Sequence, residues 1–92
     1  MSIHVAPSTL HLRFFNDGNI DVNRPIYQMS SPYDHFCTLT IDDNGNGRIE
    51  GVTFTITRRH FSELKTKLPA FGIKQVTWRH KGKEQRIVLV KA

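Results

Sequence analysis

Ninety-two residues, 38% hydrophobic and 23% charged, are enough for one core and too apolar for a disordered chain. A lone cysteine, Cys37, excludes an internal disulfide, so a reducing, cytoplasmic setting is expected. The stretch Met1–Pro7 has no basic segment followed by an apolar run, and no apolar run approaches the roughly 18 residues of a membrane span, so neither a signal peptide nor a membrane partner is expected.

The net charge of +5 is unevenly distributed. Residues 1–57 carry three basic against six acidic side chains, and residues 58–92 carry ten against two. An acidic first part joined to a basic last third suggests an anionic partner for one end of the molecule. The plainer reading is a solvated basic face that keeps the protein in solution.

In chain order, Leu10, Leu12 and Phe14 alternate with His11 and Arg13, the period-2 pattern of a half-buried strand. Asp17-Gly18 is a turn signal, and Ile20 to Val22 is expected to return as a second, weaker strand, making a hairpin over 10–22. Residues 23–35, with Pro25, Pro32, Ser30 and Ser31, read as a loop whose Tyr27, Met29 and Tyr33 pack down as a lid over one end of the domain.

Two alternating runs, Phe36–Ile41 and Val52–Thr57, flank Asp42-Asp43-Asn44-Gly45-Asn46-Gly47 and predict an antiparallel hairpin over 36–57. Pairing Ile41 with Val52, Leu39 with Phe54 and Cys37 with Ile56 keeps one face apolar, and sets Thr40 opposite Thr53 and Thr38 opposite Thr55 on the other. A helix follows over 58–68. Thr57 is its N-cap, Phe61, Leu64 and Leu68 form its apolar stripe, Arg59 pairs with Glu63, and Pro69 stops it. The last hairpin spans 73–90 and turns at Lys81-Gly82-Lys83. Its run Ile87–Val90 suggests a strand covered on both faces, with Trp78 packed opposite Ile87 or Leu89. The chain 1–92 is thus expected to be a single α+β domain: a mostly antiparallel sheet with one helix packed on a face, in the order β-β-loop-β-β-α-β-β.

Three constellations bear on function. Asp42-Asp43-Asn44-Gly45-Asn46-Gly47-Arg48-Ile49-Glu50 resembles the front of an EF-hand calcium loop. The resemblance implies calcium ligands at Asp42, Asn44 and Asn46, but the position of the closing bidentate glutamate is Thr53, and both flanks read as strands. Asn, Asp and Gly at this density also suit a plain hairpin turn, which is the favoured reading, with no cofactor expected.

Arg58-Arg59-His60 sits where a helix dipole disfavours cations, so the cluster marks a candidate anion site. The tail hairpin adds Arg79, Lys81, Lys83 and Arg86, with Arg79 and Arg86 expected near each other across the strands. Trp78 could stack a base, although a lone tryptophan is more often core. The histidines His4, His11, His35, His60 and His80 lack zinc-type spacing, and Cys37 falls on the apolar face, so no enzyme is expected.

The leading expectation is a non-catalytic binding module that contacts nucleic-acid phosphates through Arg58, Arg59, His60, Arg79, Lys81, Lys83 and Arg86. The alternative is an adaptor or inhibitor that docks on an acidic protein surface, of the kind mobile elements encode. The chain is expected to be a monomer, or a homodimer joined through an edge strand.

Overall fold

The computed structural model describes residues 1–89. Five strands form one mixed sheet: β1 (Thr9–Phe14), β2 (His35–Ile41), β3 (Asn46–Glu50), β4 (Gln75–His80) and β5 (Lys83–Val88), lying side by side in chain order. All neighbours are antiparallel except β3 and β4. A parallel pair needs a crossover, and helix α1 (Arg58–Lys67) supplies it. The architecture is α+β, with one helix on one face of the sheet: the Phe61 ring lies 5.6 Å from Trp78, and the His60 ring 4.8 Å from Phe14. No helix among the described residues is long and apolar enough to cross a membrane.

The period-2 alternation of β1 and β2 places Leu10, Leu12 and Phe14 beside Leu39, Cys37 and His35. The core continues through Ile49, Val76, Trp78 and Ile87, and is closed by Leu64 and Leu68 from the helix side and by Ile56 and Ile73 from the connections. Leu39 and Val76 are fully buried at its centre. Each fully buried aliphatic side chain contributes roughly 1.5–3 kcal/mol, so this shared face is the main source of stability.

Several local expectations are revised. Ile20 to Val22 form no strand. The Asp17 carboxylate accepts the Asn19 N–H at 2.9 Å and the Asp21 carboxylate accepts that of Asn23 at 3.0 Å, so the segment curls into successive Asx turns. β1 pairs with β2 instead. The long connection is cinched at its mouth, where the Asp34 carboxylate accepts the Asn16 N–H at 2.7 Å and the Asp34 N–H donates to the Phe14 carbonyl at 2.8 Å.

The central hairpin is shorter than its alternation suggests. β3 begins at Asn46, so Leu39 pairs with Ile49 and Ile41 with Gly47, while Thr40 faces Arg48 and Thr38 faces Glu50. Gly47 and Ile49 hold the core positions expected for Val52 and Phe54. A Cβ on Gly47 would stand 3.2 Å from Leu39 and 3.4 Å from Ile73, so the position favours the smallest residue. Gly51, at φ +81°, ends the strand. Val52, Phe54 and Ile56 still turn alternately to the core, but from a connection rather than a ladder.

Thr57 caps α1 as expected, the chain stays helical as a 3-10 turn over Leu68–Phe71, and Gly72 at φ +79° releases it toward β4. Glu63 pairs with Lys67 at 3.7 Å rather than with Arg59. The last turn is tighter than expected: Lys81 (φ 50°) and Gly82 (φ 79°) alone connect β4 to β5, as a two-residue turn with positive φ at both positions requires. Trp78 is buried but lies opposite Gln85. β5 is an edge strand, so Val88 is 59% exposed and the apolar run is not covered on both faces. Val90 of the expected hairpin lies outside the described residues.

Candidate anion-binding surface

The parallel pairing of β3 and β4 decides which cations become neighbours. α1 starts at the end of the sheet where β3 and β4 finish, so its N-terminus and the β4–β5 turn share one end of the molecule. From there α1 and β5 run the same way, and a groove of about 510 Å³ lies between them. Arg58, Phe61, Ser62 and Lys65, one face of the helix at spacings of three, four and seven, form one wall. Arg86, Ile87 and Val88 of the edge strand form the other. The helix wall holds two cations and one hydroxyl, the strand wall adds Arg86, and no carboxylate lines the groove. Among the described residues, Arg58, Lys65 and Arg86 have no ion-pair partner. At the nearby turn, Lys81 and Lys83 are exposed and also unpaired among the described residues.

The structure therefore divides the expected cluster. Arg58 stands on the helix wall of the groove, whereas Arg86, opposite Thr77 and one residue from core Ile87, lines the groove from the edge strand with its side chain set toward the open face of the sheet. Lys65 joins Arg58; the signal for it was its place seven residues after Arg58, two turns along the same helix face. Arg59 points to the other flank of α1, where its guanidinium lies close to Gly18. His60 is engaged in the cap: its Nδ1 accepts the Thr57 N–H at 3.2 Å, and its own N–H donates to Thr57 Oγ1 at 3.3 Å. Burial holds this imidazole below its ordinary pKa, so the neutral ring that the cap needs is also the one its surroundings favour.

Arg79 and Arg86 do not face each other directly. Arg79 is opposite Glu84, with Nε 4.0 Å from its carboxylate, and Arg86 is opposite Thr77. Glu84 also holds Arg48, whose guanidinium further contacts Thr77 Oγ1 at 3.3 Å and Glu50 at 3.4 Å. The bond to Glu84 is the main cause that raises the Arg48 pKa. One carboxylate thus serves two arginines on the open face of the sheet, while Arg58 and Lys65 on the helix wall have no ion-pair partner among the described residues. That face also carries an aromatic patch not anticipated from the sequence: Tyr33 lies 5.8 Å from Phe36, and the Arg13 guanidinium sits 5.9 Å from the Tyr33 ring. Of the three side chains expected to form a lid, only Met29 is half-buried against the domain; Tyr27 is 83% exposed.

The remaining constellations are occupied structurally. The Asp42 carboxylate accepts the N–H groups of Asn44 and Asn46, each at 2.9 Å, and the Asn46 amide at 3.1 Å. These bonds, those from Asn46 first, hold its pKa below the usual carboxylate value. Asn46 belongs to β3, and its Oδ1 accepts from Gln75 at 2.7 Å, so the Asp42 and Asn46 side chains are taken up by each other and by a neighbouring strand. Among the described residues no group of three His, Cys, Asp or Glu side chains is placed to hold a metal. Cys37 is buried, and desolvation pushes its thiol up to about 11, which makes it a packing group. His35, two residues away, stacks on Phe54 at 4.4 Å. Comparison with family models, with curated proteins and with solved structures returned no match.

Proposed function

We propose that this chain is a non-catalytic module that binds nucleic-acid phosphates along the groove between α1 and β5. The observation that carries the reading is a groove without a carboxylate, with Arg58 and Lys65 on its helix wall and Arg86 on the adjoining edge strand, none of them with an ion-pair partner among the described residues. Unpaired cations held near one another repel, and a polyanion relieves that repulsion while releasing its own counterions. Arginine offers a planar fork for phosphate oxygens, and lysine a mobile point charge. Arg58 and Lys65 stand about 10 Å apart along the helix axis, room for more than one phosphate. Arg79, Lys81 and Lys83 at the β4–β5 turn would extend the track. Arg59, on the other flank of the helix, and His60, engaged in the cap, are left out of it.

Fluorescence anisotropy with a labelled single strand and a labelled duplex, across a salt series, tests this. Log affinity should fall linearly with log salt, losing about 0.7 per contacted phosphate on a single strand and about 0.9 on a duplex. Replacing Arg58, Lys65 and Arg86 together by alanine should flatten the slope by about 2 to 3. If neither nucleic acid is retained at low salt, the reading fails and the carboxylates of an acidic protein surface become the partner to test.

A further inference from the structure

α1 has a second flank, and its chemistry is different. Between β1, α1 and the connection that follows β1 lies a cleft of about 1050 Å³. One wall is Leu10, Leu12 and Phe14; the other is Leu64, Leu68 and Phe71. The roof is Ile20, Val22, Ile26 and Met29. Val22, Ile26 and Phe71 are 39%, 66% and 46% exposed, so apolar side chains converge here without burying one another fully. A concave, predominantly apolar surface is the usual form of a small-molecule pocket, and here charged side chains, Asp17, Arg24, Arg59, Glu63 and Lys67 among them, border it.

The charges around it select the ligand further. Arg24 is paired with Asp21 at 3.6 Å, and Lys67 with Glu63 at 3.7 Å. The Arg13 guanidinium sits by Tyr33 on the open face. Asp17 is tied into its own turn by the Asn19 N–H. Arg59 alone of the cleft's cations lacks both an ion pair and an aromatic partner among the described residues. It projects about 100° around the helix from Arg58, which separates it from the phosphate groove. We propose that this cleft binds a free long-chain carboxylate, the alkyl chain lying against Leu10, Leu12 and Ile26 and the head group on Arg59. An apolar trough with one uncompensated guanidinium is complementary to an apolar chain that ends in one negative charge.

The test is a calorimetric titration of the full chain with dodecanoate below its micellar concentration, followed in parallel by backbone amide NMR shifts. Saturable binding at one site is expected, with shifts centred on β1 and α1. Affinity should weaken about fourfold for each methylene removed, through decanoate to octanoate. Arg59→Met should weaken dodecanoate about tenfold while leaving neutral dodecanol unchanged. Ile26→Glu, at an exposed position, should abolish binding of both with the amide spectrum otherwise retained. Absence of saturable binding at millimolar dodecanoate, or binding untouched by both variants, overturns the proposal.

Discussion

The two flanks of α1 differ although one helix makes both. A helix is about 10 Å across and strands lie about 4.8 Å apart, so a single helix covers only part of a five-stranded sheet. Its buried stripe, Leu64 and Leu68, meets the shared core, and the margins on either side are completed by whatever the adjoining chain supplies. On the β5 side the sheet ends at an edge strand beside a helix face bearing Arg58 and Lys65, and the margin is cationic. On the β1 side the connection after β1 folds back with Ile20, Val22, Ile26 and Met29, and the margin is apolar. A cationic margin and an apolar margin are thus held apart by the width of one helix, and can be perturbed separately.

The largest perturbation removes what the flanks share. Leu39, at 0% exposure, lies under the centre of the sheet. Leu39→Ala should lower stability by about 2–5 kcal/mol in urea denaturation and weaken both flanks together. A selective effect on one flank would mean that they do not rest on a common core. Next in size, Arg58→Ala, Lys65→Ala and Arg86→Ala combined should lower nucleic-acid affinity about a hundredfold near 0.1 M salt, with stability changed by no more than about 0.5 kcal/mol. The same affinity measured on Arg59→Met should stay close to that of the unaltered chain, since Arg59 belongs to the other margin.

An intermediate effect is expected where both margins meet, at the helix cap. Thr57→Ala should cost about 1 kcal/mol. His60 makes the cap sensitive to pH. Its folded pKa lies below the ordinary value of 6.5, chiefly through burial, with Glu63 opposing and His35 and Arg59 reinforcing the shift. Above 6.5 the ring is neutral in both folded and unfolded chains. As pH falls through 6.5 the unfolded chain takes up the proton first, so stability declines from there down to the folded pKa. Denaturation curves from pH 8 to pH 5 should show this decline, and His60→Gln, which can keep the reciprocal cap without titrating, should remove this residue's share of it. The smallest effect belongs to Glu84→Gln. It frees Arg48 and Arg79 from an exposed pairing that is worth less than about 1 kcal/mol; stability should hardly change, while nucleic-acid affinity rises a few-fold if the open face adjoins the track.

What was legible in the sequence is what local chemistry decides. The Thr57 cap, the stripe Phe61, Leu64 and Leu68, and the stop before Pro69 lie within a few residues of one another, and helix geometry brings such positions together whatever the rest of the chain does. The strands β1 and β2 were legible for a similar reason. The position of β3 was not: Val52, Phe54 and Ile56 alternate more clearly than Asn46–Glu50, and alternation reports only which side chains face the core, not whether the backbone between them is paired. Gly47 carried no hydrophobic signal, because its core position is filled by the approach of Leu39 and Ile73 rather than by a side chain of its own.

The same division holds for the candidate sites. That the last third of the chain is cationic, that Cys37 packs inward and that one helix packs on a face of a sheet follow from residue types and their spacing. Which cations stand together does not. Arg58 and Arg59 are neighbours in sequence yet face different margins, whereas Arg58 and Arg86 are far apart in sequence and border the same groove, one from the helix and one from the edge strand. The helix turns about 100° per residue, and the parallel pairing of β3 with β4 sets the edge strand alongside it. Proximity between distant charges is a property of the assembled layers, and it arises only once the sheet and the helix have packed.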